Sequence, residues 1–102
     1  MDNRTTASRL SKIEYTRKLY RHVLKRDGKV SKTKRSKLND KALELYAFGN
    51  DPQIGKLASS IASVAVSVAH WAESHDDSEL EFIAERIKSA DAECRRLTEG
   101  GI

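Results

Sequence analysis

The sequence predicts an all-α fold, a small helical bundle of about four helices whose last two form an antiparallel helical hairpin. Three observations carry this. Only one residue is proline and 33% are charged, a composition that favours helices over a turn-rich sheet protein. Apolar residues recur at spacings of three and four in two long series, Ile54, Leu57, Ile61, Val64, Val68, Trp71 and Leu80, Ile83, Ile87, Ala90, Cys94, Leu97, which places each series on one helical stripe. The few residues between the two series are polar and read as a turn, so the two helices fold back on each other.

The stretch from Ile54 to Ala72 is the expected axis of the fold. Beside its bulky stripe runs a second one made only of alanines, Ala58, Ala62, Ala65, Ala69 and Ala72, so this helix is apolar on two sides and needs two partners. Small side chains let a neighbouring helix approach near the lower end of the usual ~8 to 10 Å interaxial range. The spacing from Leu57 through Ile61 to Trp71 resembles the apolar skeleton of a helix-turn-helix. It departs where that motif needs glycine, at Ala62, and Val64, Ala65, Val66 and Ala69 stand where base-reading polar groups belong. One continuous buried helix is the better account.

The remaining elements follow in order. Residues 1–7 read as a disordered polar tail, and residues 8–102 as a single helical domain. A first helix over about 8–26 is capped by Ser8 or Thr6, turns Leu10, Ile13, Leu19, Tyr20, Val23 and Leu24 inward, and stops at Asp27-Gly28. Residues 29–37 hold five Lys or Arg and a single aliphatic residue, Val30, and read as a mobile basic loop. Asn39 or Asp40 caps a short helix over about 39–48, with Leu43 and Tyr46, and secondarily Leu45 and Phe48, pointing inward. The central helix spans about 52–73, with Asp51 as its cap and Pro52 in the first helical position. The last spans about 78–98 and opens on a capping box of Ser78 and Glu81, with Gly100-Gly101 as its stop.

Composition bounds the function. A chain of 102 residues with six aromatics has a limited core, and apolar surface left on the central or last helix is a motive for a homodimer. A single cysteine, Cys94, forbids an internal disulfide and fits a reducing compartment. Met1 to Ser11 lacks the apolar core of a secretory leader, and the serine-interrupted run Leu57–Ala72 falls short of the ~20 apolar residues of a membrane span, so a soluble cytoplasmic protein without membrane contact is expected. His22, His70, His75 and Cys94 show no metal-ligand spacing, and no nucleophile-base pair or phosphate-cradling glycine loop is present. We therefore expect no metal, no cofactor and no enzymatic activity.

Charge is the informative property. Residues 1–41 hold fourteen Lys or Arg against four Asp or Glu, a net of +10, while residues 42–102 hold five against eleven, a net of −6. On the first helix Arg17, Arg21 and Lys25 follow at four-residue steps, a repulsive arrangement that an anionic partner would relieve. The expected function is non-enzymatic nucleic-acid binding, DNA in preference to RNA, in a regulatory or architectural role. Its expected contacts are Arg9, Lys12, Arg17, Lys18, Arg21, Lys25 and Arg26 on the helix and Lys29, Lys32, Lys34, Arg35 and Lys37 in the loop, with Tyr15 and Tyr20 as stacking candidates. The alternative is a protein-binding adaptor or inhibitor acting through the acidic hairpin or the basic helix. If the basic half were neutralised by the protein's own acidic half, the nucleic-acid expectation would fail.

Overall fold

A computed structural model of the chain describes the backbone of residues 3–99 and the side chains of residues 6–97. Four helices follow one another: α1 (Asn3–Lys25), α2 (Lys32–Tyr46), α3 (Gly55–Ser74) and α4 (Glu79–Glu99), with no strand among the described residues. Helix α3 touches all three others, and α1 also packs on α2. Its bulky and alanine stripes are both buried, as their spacing requires. It is a single unbroken helix, so the resemblance to a helix-turn-helix ends at the apolar pattern.

The order of contacts along the helices sets their directions. Lys56 meets Glu93, Ser63 meets Arg86 and His70 meets Glu79, each step forward on α3 matching a step back on α4. That is the antiparallel hairpin. Lys12 meets Glu44 and His22 meets Lys34, so α1 and α2 are antiparallel as well. Arg9 lies at Asp51 ahead of α3, and Gly28 lies against Trp71 and Ala72 at its far end, so α1 and α3 run parallel.

Helix α1 ends on a double left-handed turn, Asp27 at φ 53° and Gly28 at φ 73°. The Gly28 amide donates to the Val23 carbonyl and the Asp27 amide to that of Leu24, which satisfies two of the carbonyls a helix end leaves open. A β-carbon on Gly28 would stand 3.2 Å from the Trp71 ring and 3.3 Å from the Ala72 backbone. Conformation and space thus both call for glycine.

Several expectations about local structure are corrected. The basic segment 29–37 is a loop only up to Ser31, and from Lys32 onward it belongs to α2. Its cap is Ser31, whose hydroxyl accepts from the Lys34 amide, rather than Asn39 or Asp40. Lysine and arginine are good helix formers, nothing between Ser31 and Tyr46 breaks a helix, and once Leu38 joins the periodic series the buried stripe becomes Leu38, Ala42, Leu45. This rotates Leu43 (61% exposed) and Tyr46 (45% exposed) outward, the reverse of the expected arrangement. Secondly, α1 already begins at Asn3, inside the expected tail, while Met1 and Asp2 lie outside the described residues, as does the expected stop at Gly100-Gly101. Thirdly, residues 51–54 form a turn and regular α3 starts at Gly55, where a β-carbon would run into the Gly49 carbonyl. In the α3–α4 turn the Ser78 hydroxyl donates to Asp76 at 2.7 Å in place of the capping box.

Thr16 is buried in α1 without having been read as a core residue. Its hydroxyl donates to the Lys12 carbonyl at 2.8 Å, which removes the cost of burying it. Replacing Gly28 by Ala is expected to destabilise the fold by about 1–2 kcal/mol, from the left-handed conformation and the contact with Trp71. The measurement is the shift in urea midpoint of Gly28→Ala at unchanged slope.

Candidate nucleic-acid interface

The twelve cations expected to contact nucleic acid do not form one surface; the bundle divides them. Four of those on α1 face acidic partners. Arg9 donates to Asp51 at 2.8 Å and its guanidinium lies 5.0 Å from the centre of the Phe48 ring. Lys12 pairs with Glu44 at 3.2 Å. Arg17, largely buried, bridges Glu14 at 3.2 Å on its own helix and Asp91 at 3.3 Å on α4. Arg21 reaches the same Asp91 carboxylate at 3.8 Å. These four stitch α1 to the rest of the bundle.

Asp51 is the most enclosed of their partners, its side chain only 1% exposed. One carboxylate oxygen accepts from the Gln53 and Ile54 amides at 2.8 and 3.1 Å, and the other accepts from Arg9. The two amide bonds, followed by the Arg9 guanidinium, hold its carboxyl below the usual aspartate range. Asp51 was expected to cap α3, but the cap position falls to Ile54; Asp51 instead holds the turn ahead of the helix and joins it to α1, which the sequence pattern did not show.

The other cations stand differently. Lys18, Lys25, Arg26, Lys29 and Lys32 are exposed and make no ion pair among the described residues. Lys34 contacts His22 Nε2 at 3.3 Å, Arg35 donates to the Val30 carbonyl at 3.3 Å, and Lys37 lies 5.3 Å from the centre of the Tyr15 ring. None of these three meets a carboxylate among the described residues. Because α1 and α2 are antiparallel, Lys18, His22 and Lys25 of α1 run beside Lys34 and Lys37 of α2 as a basic ridge, closed at its end by Arg26 and Lys29 in the turn. From Lys18 to Lys37 the chain holds nine Lys or Arg and one carboxylate, Asp27.

Lys32 and Arg35 leave the ridge. They point along the other side of α2 and border a hollow of about 280 Å³ with Asn39, Val66, His70 and Glu73. Of the two tyrosines, Tyr20 is fully buried beside Arg17, and burial raises its hydroxyl pKa with a partial offset from that guanidinium. Tyr15 is 42% exposed, and Lys37 and Lys41 both lie over its ring, at 5.3 and 5.5 Å.

No group of three or more His, Cys, Asp or Glu able to hold a metal occurs among the described residues. Cys94 packs against the core, and burial pushes its thiol up, away from reactivity. Among the described residues no helix is long and apolar enough to cross a membrane.

The engaged carboxylates make stability acid-sensitive in a definite direction. Backbone amides depress Asp51, Lys41 and Lys12 depress Glu44, and Arg96 and Lys56 depress Glu93. A depressed native pKa contributes stability that is complete above the unfolded value, near pH 4, and is lost as pH falls through the lower native values. The thermal midpoint should therefore decline below about pH 4. Asp51→Asn should lower it at neutral pH and flatten that decline; a wild-type midpoint constant down to about pH 2 would contradict the assignment.

Compared with known proteins, the chain matches no family model, no curated protein and no solved structure.

Proposed function

We propose that this chain is a small non-enzymatic nucleic-acid-binding protein that lays the α1–α2 ridge along a phosphate backbone, DNA in preference to RNA, in a regulatory or architectural role. The observation that carries the reading is the row of cations on α1 and α2 that meet no carboxylate among the described residues, although the same chain neutralises Arg9, Lys12, Arg17 and Arg21 internally. Cations held side by side on two rigid helices are pre-positioned for a linear array of negative charge, and their affinity comes from counterion release. Backbone docking is favoured over base stacking because the one exposed tyrosine on this side, Tyr15, already has two ammonium groups over its ring.

A second reading rests on the other end of the charge scale. Glu73, Glu81 and Glu85 are exposed around the α3–α4 turn and make no ion pair among the described residues, so a basic protein surface has a place to dock. An adaptor or inhibitor would act through that surface.

A mobility-shift titration of duplex DNA separates the two readings. If Lys18, Lys25, Arg26, Lys34 and Lys37 each neutralise one phosphate, the logarithm of affinity should fall against the logarithm of salt with a slope of roughly −4 to −5. Reversing Lys18, Lys25, Lys34 and Lys37 to Glu should abolish the shift while leaving the helical circular dichroism intact, because three of them are exposed and Lys34 is only partly covered. Absence of any shift at low salt removes the nucleic-acid reading and promotes the adaptor. Competition with duplex RNA tests the preference for DNA.

A further inference from the structure

The ridge contains one contact that two cations could not make. His22 Nε2 lies 3.3 Å from the Lys34 ammonium. An ammonium only donates, so the ring nitrogen accepts, and His22 is a neutral imidazole with its proton on Nδ1. The backbone beneath both groups is fixed. His22 stands one turn beyond Leu19 and Lys34 one turn ahead of Leu38, and both leucines are buried. The Lys34 amide also donates to the Ser31 hydroxyl at 3.2 Å, at the cap of α2. The two nitrogens thus bridge α1 and α2 at the rim of the core, and only side-chain torsions are needed to part them.

Their surroundings are positive. Lys18 and Lys25 flank His22 on its own helix and Arg26 follows in the turn, all three exposed. Arg21, next to His22 in sequence, turns away to Asp91. On α2, Lys37 follows Lys34 by three residues and lies against the Tyr15 ring, and the first turn of that helix holds no acidic residue. Helix α3 also packs on α1, but its His70 and Glu73 border the hollow on the other side of α2. Asp27, the one carboxylate between Lys18 and Lys37, makes no ion pair with His22 or Lys34.

We propose that His22 and Lys34 form a phosphate seat on the ridge, and that His22 fills its part as the imidazolium, so that binding takes up one proton. The inference rests on the nucleic-acid reading and adds a contact residue that the count of lysines and arginines passed over. In the free protein a proton on Nε2 would set a ring N–H against an ammonium with no acceptor between them. A phosphate oxygen supplies that acceptor: Nε2–H and Nζ–H both donate to the phosphate, and its charge offsets both cations. Anion and proton therefore each favour the uptake of the other. Imidazole is the side chain that ordinarily changes charge between about pH 5 and pH 8, which sets the range in which the coupling acts.

The test is fluorescence anisotropy with a labelled DNA duplex at constant ionic strength, from about pH 8 down to about pH 5.5. Affinity should rise by roughly tenfold over that range, with a slope of at most one proton per complex. His22→Gln still offers phosphate a donor but has no proton to gain, so its affinity should stay level over the same range. His70→Gln, outside the ridge, should keep the rise. His22 is exposed, so its variant should retain the helical circular dichroism of the wild type. Near neutral pH the ¹⁵N resonances of the His22 ring should move toward the protonated pattern when duplex is added. Binding that does not change with pH overturns the proposal and leaves the phosphate reading standing. So does a pH dependence that survives in His22→Gln, or a ring that stays neutral in the complex. Absence of binding at either end of the range removes the phosphate reading, and this seat with it.

Discussion

Helix α3 is apolar around more of its circumference than one neighbour can cover, and the fold is the way the chain meets that demand. Burying Val, Ile, Leu or Trp side chains is worth about 1.5–3 kcal/mol each, far more than helix propensity contributes, so the placement of the other helices follows from which stripe of α3 each one covers. Ile54, Leu57, Ile61, Val64, Val68 and Trp71 need thick partners, while the alanines admit a close one. Gly28 shows how tight the result is: the turn out of α1 rests on the Trp71 ring, and a methyl group there would force Trp71 or Ala72 to give by a few tenths of an ångström. With three helices to hand and apolar character on two stripes, one sector of α3 is left as a groove.

Folding also redistributes charge. Along the sequence the positive third precedes the negative remainder, but in space the parallel course of α1 and α3 and the antiparallel course of α4 carry Asp51, Glu44 and Asp91 to the flank of α1. Arg9, Lys12, Arg17 and Arg21 thereby become structural. Surface pairs of this kind contribute little singly. Asp51 differs because it is enclosed and shares its oxygens between the start of α3 and a guanidinium from α1, so one residue couples two elements.

What remains positive lies at the α1–α2 turn, close to the acidic α3–α4 turn at the same end of the molecule. The two faces of α2 divide its cations: one side completes the ridge proposed to meet phosphate, and the other borders a hollow against Val66, His70 and Glu73 of α3.

By itself the sequence determined the class of fold, the two buried stripes of α3, the hairpin it forms with α4 and the lopsided charge, because these depend on local periodicity and on counts. It also marked Gly28 as the end of α1, since its conformational preference is its own, while Asp51, read as the cap of α3, holds the turn ahead of that helix. Tertiary structure decided the rest. Residues 32–37 carry no apolar period of their own, and only docking of Leu38, Ala42 and Leu45 on α3 shows that they continue a helix and that Leu43 and Tyr46 face outward. Likewise Arg17 and Lys18 are chemically alike neighbours in sequence; one is held by Asp91, seventy-four residues away, and the other makes no ion pair among the described residues, because an ion pair requires proximity and only the packed bundle confers it.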